Sequence, residues 1–146
     1  MRIYFAAHAT TKDNEAKVAS GWSDTELSDL GIKQAKELGE AFKNIKLDIV
    51  CCSDLRRAVD TVKIAFEGKY QVIADQRLQE LNYGDFNGKS SAVVEPMKLQ
   101  HIKEPFPNGE SYEQAIARVR GFYQELKRNS PLHYFPQQSF LHRSKK

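Results

Sequence analysis

Apolar and polar positions along the chain predict alternating strands and helices. Ile3, Tyr4, Phe5, Ala6 and Ala7 make a short unbroken apolar run, the pattern of a strand buried on both faces. It stops at His8, which small and polar residues follow at once. Residues 15–27 read as a polar loop, with a turn over Gly21, Trp22, Ser23 and Asp24. From Ser28 onward, Ile32, Ala35, Leu38, Phe42 and Ile45 recur at helical spacing and fall on one face. Residues 47–52 read as a second buried strand. Ser53 is the expected N-cap of the next helix. Leu55, Ala58, Val59, Val62, Ala65 and Phe66 give that helix its apolar face, which leaves Arg57 in the first turn. Residues 71–74 supply a third, shorter strand.

From Asp75 to Pro107 the pattern turns irregular. Tyr83, Gly84, Asp85, Phe86, Asn87 and Gly88 read as a loop, a short helix is expected over 91–99, and Pro105 and Pro107 bracket a turn. Ser111 followed three positions on by Gln114 is a capping box. The helix it opens should bury Tyr112, Ala115, Ile116, Val119, Phe122 and Leu126. Strands alternating with helices predict an α/β fold: a three-layer sandwich with a mainly parallel sheet flanked by helices. Repeats and linkers are absent, so residues 1–146 are expected to form a single domain. The last stretch, 131–146, breaks the rhythm, since Pro136 and the paired Gln137 and Gln138 argue against a central strand.

Composition narrows the class without deciding it. At 146 residues, 40% hydrophobic and 28% charged, the chain fits one ordinary globular domain. A net charge of +3 suits a small anionic substrate, whereas a nucleic-acid partner calls for a denser basic face. No apolar run approaches the roughly 20 residues of a membrane span. Nor does a basic segment followed by an apolar one mark a signal peptide, so a cytoplasmic protein without a membrane partner is expected. Cys51 and Cys52 are adjacent, which matches neither a zinc site nor a disulfide framework; buried thiols in a reducing compartment are expected instead.

Candidate chemistry gathers at the strand ends, where open α/β sheets bind their ligands. His8 ends the first strand beside Thr10, Thr11 and Asn14. Arg57 opens a helix after the second, where free N–H groups already favour anions and a guanidinium adds a forked clamp. Glu80 follows the third, and a carboxylate beside a phosphate can serve as general acid. Taken singly, each has a plainer use: a satisfied structural histidine, a solvated arginine, a surface glutamate. Together they predict a phosphate site.

These segments resemble the histidine phosphatase superfamily, also called the phosphoglycerate mutase-like family. The stretch from His8 through Thr10, Thr11 and Asn14 is similar to its signature. Gly21, Asp24, Leu27, Gly31, Gln34 and Ala35 match the spacing of its next helix. Ser53, Asp54, Leu55, Arg56, Arg57 and Ala58 resemble its second motif. Leu78, Gln79, Glu80, Tyr83, Gly84 and Gly88 resemble its acid–base segment, and Pro107 to Ser111 opens the helix that follows. The likeness runs from Met1 to about Arg128.

The resemblance implies a phosphoglycerate mutase-like fold and phosphoryl transfer through a phosphohistidine, with no metal and no cofactor. His8 would be the nucleophile and Glu80 the general acid–base, with Thr11, Asn14 and Arg57 binding a small phosphorylated metabolite. A phosphomonoester phosphatase is favoured over a mutase because the chain is short and the region after Glu80 lacks a large capping insertion. Two departures point to lowered activity, or to a pseudoenzyme that only binds a phosphorylated ligand. Ala7 stands where the family has arginine, and Ala9 where it has glycine. The family's second histidine is approached only by His142, without a strand before it, as expected of a truncated or altered C-terminus.

Overall fold

The computed structural model describes residues 2–128. Pro136, Gln137, Gln138 and His142 lie outside the described residues. After His8 the chain turns into a single helical turn, α1 (Lys12–Glu15), and a short strand, β1 (Val18–Ala19). Next come α2 (Asp29–Ala41), β2 (Val50–Cys52), α3 (Arg56–Phe66) and β3 (Val72–Ala74). Two 3-10 turns (Gln76–Leu78 and Gly84–Phe86) lead to β4 (Lys89–Ser90), α4 (Ser91–Val94) and a further 3-10 stretch (Glu95–His101). The long helix α5 (Tyr112–Arg128) follows.

Two small ladders organise these elements. β2 and β3 pair in parallel, Cys51 opposite Ile73, with α3 as the crossover that a parallel pair requires. β1 and β4 pair antiparallel, Val18 opposite Ser90. The first strand of this ladder was hidden in the expected loop over 15–27, because two residues carry no periodicity. It ties the segment after His8 to the segment that begins at Ser91.

The expected first strand is not one. Residues 3–7 join no ladder among the described residues; Ile3 is 55% exposed and Phe5 94%. A strand is defined by its neighbour's N–H and C=O groups, and an apolar run cannot supply that neighbour itself. Tyr4 does meet Phe42 edge-on, with ring centroids 5.5 Å apart. Ser53 is likewise not the N-cap of α3. Leu55 holds that position without a side-chain bond, and the free Arg56 N–H is taken up by Asp24 Oδ1 at 3.2 Å. The α3 core face is also less apolar than expected. Arg57 and Thr61 are buried with Leu55, Ala65 and Phe66, while Ala58, Val59 and Val62 are half-buried.

The helix expected over 91–99 exists as α4 continued by 3-10 turns, a change that begins where Pro96 removes a backbone donor. The capping box is present: Gln114 N donates to Ser111 Oγ and Ser111 N to Gln114 Oε1. Only part of the apolar face of α5 is covered. Phe122 is buried, yet Ile116 and Val119 face solvent among the described residues. The expected face of α2 is likewise incomplete, with Ala35 buried and Ile32 exposed. Two clusters form the core. Ala9, Leu27 and Ala35 pack with Ile64 between α2 and α3. Leu81, Tyr83, Val94 and Phe106 form the other, with Tyr83 and Phe106 edge to face at 5.3 Å.

Candidate active site

The His8 segment is fixed by the helices beside it. Ala9 N donates to Thr61 Oγ1 on α3 at 3.0 Å, and Thr10 N to Gln34 Oε1 on α2 at 2.9 Å. Ser28, the N-cap of α2, donates its N–H to the Thr10 carbonyl at 3.0 Å. α2 approaches so closely that a Cβ on Gly31 would lie 1.9 Å from that carbonyl oxygen. Only glycine fits there, and the Gly31 recognised in the sequence has this packing reason.

On this rigid base the His8 ring is oriented by its own neighbour. Nδ1 lies 2.8 Å from the Ala9 carbonyl oxygen. A carbonyl only accepts, so Nδ1 is the donor, and in the neutral ring Nε2 keeps a free lone pair. Three residues after His8, Thr11 is fully buried. Its hydroxyl accepts from Asn14 N at 3.0 Å and its N–H donates to Asn14 Oδ1 at 2.9 Å, which closes α1. Thr11 therefore shapes the loop and does not line the cavity. Of the residues expected to touch substrate, Thr11 is the one placed behind the cavity wall, with its hydroxyl engaged by the backbone of α1.

Arg57 is only 3% exposed. Its Nη2 donates to the Gly21 carbonyl at 2.8 Å and its Nη1 to the Ser23 carbonyl at 3.2 Å. Gly21 has φ +53°, a left-handed conformation that a side chain would strain. Burial pulls the Arg57 guanidinium below its usual range, while the carboxylates of Glu80, Asp24 and Asp13 oppose the fall. It remains a cation. Glu80 is held through its backbone, whose carbonyl accepts from Trp22 Nε1 at 2.8 Å and from Arg118 Nη2 at 2.9 Å.

His8, Asn14, Arg57 and Glu80 line one cavity of about 190 Å³. It brings together every expected site residue except Thr11. Sequence reasoning missed Ser20, Ser91, Glu95 and Lys98, which line it too. The sole signal for Glu95 and Lys98 was their spacing of three, the mark of a common surface pair. Burial pushes the Cys51 and Cys52 thiols up to about 11, so neither is primed as a nucleophile. Among the described residues, no group of three or more His, Cys, Asp or Glu side chains is placed to hold a metal ion. Nor, among those residues, is any helix long and apolar enough to cross a membrane.

A histidine with a free ring nitrogen, a buried guanidinium and a carboxylate in one polar cavity suit the binding of a phosphoryl group. The family model of the histidine phosphatase superfamily (branch 1) matches residues 3–134. The chain belongs to that superfamily. It is 33% identical over 135 residues to a protein named putative phosphoserine phosphatase 2 from Hydrogenobacter thermophilus, covering 86% of this chain and 66% of that protein. It is also 33% identical over 135 residues to a 2,3-bisphosphoglycerate-dependent phosphoglycerate mutase from Methylocella silvestris, covering 83% and 66%. Among solved structures it resembles a mycobacterial glucosyl-3-phosphoglycerate phosphatase complexed with VO3. The TM-score is 0.73 at 33% identity, over 85% of this chain and 66% of that one. The fold is the α/β fold of phosphoglycerate mutase-like histidine phosphatases, and the chain spans just under two thirds of the length of these relatives, at 66%.

Proposed function

We propose that this chain is a phosphomonoester phosphatase that works through a phosphohistidine on His8. The observation that carries the reading is the hydrogen bond from His8 Nδ1 to the Ala9 carbonyl at 2.8 Å. In the neutral ring it leaves the Nε2 lone pair free in a cavity that also holds Arg57 and Glu80. Nε2 attacks phosphorus as the ester P–O bond breaks, and Glu80 gives its proton to the departing oxygen. Water then attacks the phosphohistidine. Glu80 takes the water proton, the P–N bond breaks, and inorganic phosphate leaves with His8 restored. Arg57 and Asn14 hold the non-reacting oxygens, and positioning with electrostatics supplies most of the catalysis.

The substrate is a small phosphorylated metabolite, in keeping with the modest cavity and with relatives named for phosphoserine, phosphoglycerate and glucosyl-3-phosphoglycerate. Hydrolysis is favoured over mutase transfer because the chain between Glu80 and α5 folds into the core around Tyr83, Val94 and Phe106. No metal takes part, so turnover is expected to survive EDTA. The compartment we infer is the cytoplasm, which suits the two free thiols. A second reading, a protein that binds a phosphorylated ligand without turnover, is favoured by one feature, Ala7 in place of the family's arginine.

The test is rapid-quench labelling with a phosphorus-labelled phosphomonoester. Acid-labile label on wild type that is absent from His8→Ala supports the phosphatase reading. Turnover without label points to direct attack by water. Phosphate binding without label or turnover favours the binding protein.

A further inference from the structure

The cavity has a second wall that the phosphoryl chemistry leaves unused. The β1–β4 ladder, with Ser91 N donating to the Lys17 carbonyl at 2.8 Å, sets α4 and its 3-10 continuation against the His8 side. Ser91, Glu95 and Lys98 line the cavity there. Lys98 differs from an ordinary surface lysine in three ways. Its side chain is only 27% exposed; one of its three donors is held by Glu95 Oε1 at 2.6 Å; and its ammonium lies 5.5 Å from the centroid of the buried Tyr83 ring. With the Tyr83 hydroxyl taking another, one donor remains for a ligand.

We infer that Lys98 is a specificity-determining residue that binds a second anionic group on the part of the substrate that leaves. The inference rests on the phosphatase reading of the same site. A cation confined between a ring face and a carboxylate costs a ligand little reorganisation. Partial exclusion of water makes its charge count for more than at a free surface. Burial alone would lower its pKa, but the Glu95 bond and the Tyr83 side chain carry it above the usual lysine range, so the charge is permanent. Glu95 is the more exposed partner, at 58%, and can yield its place beside Lys98 to a ligand anion. The second anion is a carboxylate or a second phosphate, both of which meet an ammonium in the same way.

Matched substrates test this. 3-phosphoglycerate is compared with glycerol 3-phosphate for a carboxylate, and fructose 1,6-bisphosphate with fructose 6-phosphate for a second phosphate. Wild type should favour the more anionic member of at least one pair by about tenfold in kcat/KM, the usual worth of one charged hydrogen bond. Lys98→Met should abolish that preference through KM, with kcat changing less than about threefold. Lys98→Arg should keep most of it. The pair that responds identifies the anion. Equal losses for both members, in a variant as heat-stable as wild type, would assign Lys98 to cavity packing and overturn the inference, as would an unchanged preference.

The same ligands titrated calorimetrically into His8→Asn separate the two readings. A Lys98-dependent binding preference without turnover by wild type would sink hydrolysis and leave this inference standing. Hydrolysis of p-nitrophenyl phosphate without any Lys98-dependent preference would do the reverse.

Discussion

Arg118 Nη2 donates to the Glu80 carbonyl oxygen at 2.9 Å across 38 positions of sequence. Its Nη1 reaches the carbonyls of Arg77 and Gln79 as well, at 2.9 and 2.8 Å. The Glu110 carboxylate holds the guanidinium from the other side. Helix α5 therefore sets the backbone that carries the proposed general acid without sending a side chain into the cavity. Small displacements of a reacting group cost about a hundredfold in rate. Arg118→Met is expected to lower kcat by roughly tenfold to a hundredfold and to change KM far less. Combined with Glu80→Gln it should cost almost nothing further. A full additional loss in the double variant would show that Arg118 acts elsewhere.

Arg57 and Glu80 should separate by role. Arg57→Ala is expected to weaken inorganic phosphate binding and turnover together, since one charge serves the ground state and the transition state. The same variant frees the carbonyls of Gly21 and Ser23, so its thermal stability should fall as well. Glu80→Gln should leave phosphate binding nearly intact and slow substrates with poor leaving groups most. Equal slowing of good and poor leaving groups would remove Glu80 from the proton transfer.

How far the sequence reached can be judged from these residues. Periodicity found α2, α3 and α5 because each turns one face to a neighbour over several turns. It failed at residues 3–7, where apolar character promised burial but no partner strand joins them among the described residues. The β1–β4 ladder was too short to leave a pattern, yet it carries Ser91 to the cavity. That His8, Asn14, Arg57 and Glu80 share one cavity agrees with the expectation that they converge, although the strand expected before His8 is not formed. The capping role of Thr11 was not legible, since a hydroxyl that caps a turn and one that meets a ligand look alike in sequence. Lys98 looked like half of an ordinary surface pair with Glu95, because what sets it apart is Tyr83, fifteen positions earlier.

The acid side of the stability profile should depend on Asp75. Its carboxylate accepts from Arg77 Nη2 at 2.7 Å, and Arg77 in turn reaches Glu125 on α5 at 2.7 Å. The Arg77 side chain holds the Asp75 carboxyl below its ordinary value of 3.8. A carboxyl lowered in the folded state adds stability that is complete above its unfolded value and is lost as pH falls through its folded one. The melting-temperature difference between wild type and Asp75→Asn should thus be constant near neutrality and shrink below about pH 4. A difference that holds unchanged to the acid limit would remove the pair from the acid response.

Ala7 offers a gain instead of a loss. The residue precedes His8 and is exposed, so a longer side chain meets no packed neighbour. The segment that follows is pinned by Thr61 and Gln34, which keeps His8 in place when position 7 changes. Position 7 directly precedes His8, which lines the cavity proposed to hold the phosphoryl group. Ala7→Arg is expected to raise kcat/KM for small phosphomonoesters by about tenfold to a thousandfold, the usual worth of one charged donor to a transition state. Phosphate affinity should rise with it. The measurement is steady-state hydrolysis alongside calorimetric phosphate binding, with circular dichroism to establish that the variant is folded. Unchanged rate and affinity in a folded variant would mean that the missing arginine is not what limits this site, and would move the balance toward a protein that binds its phosphorylated ligand without turning it over.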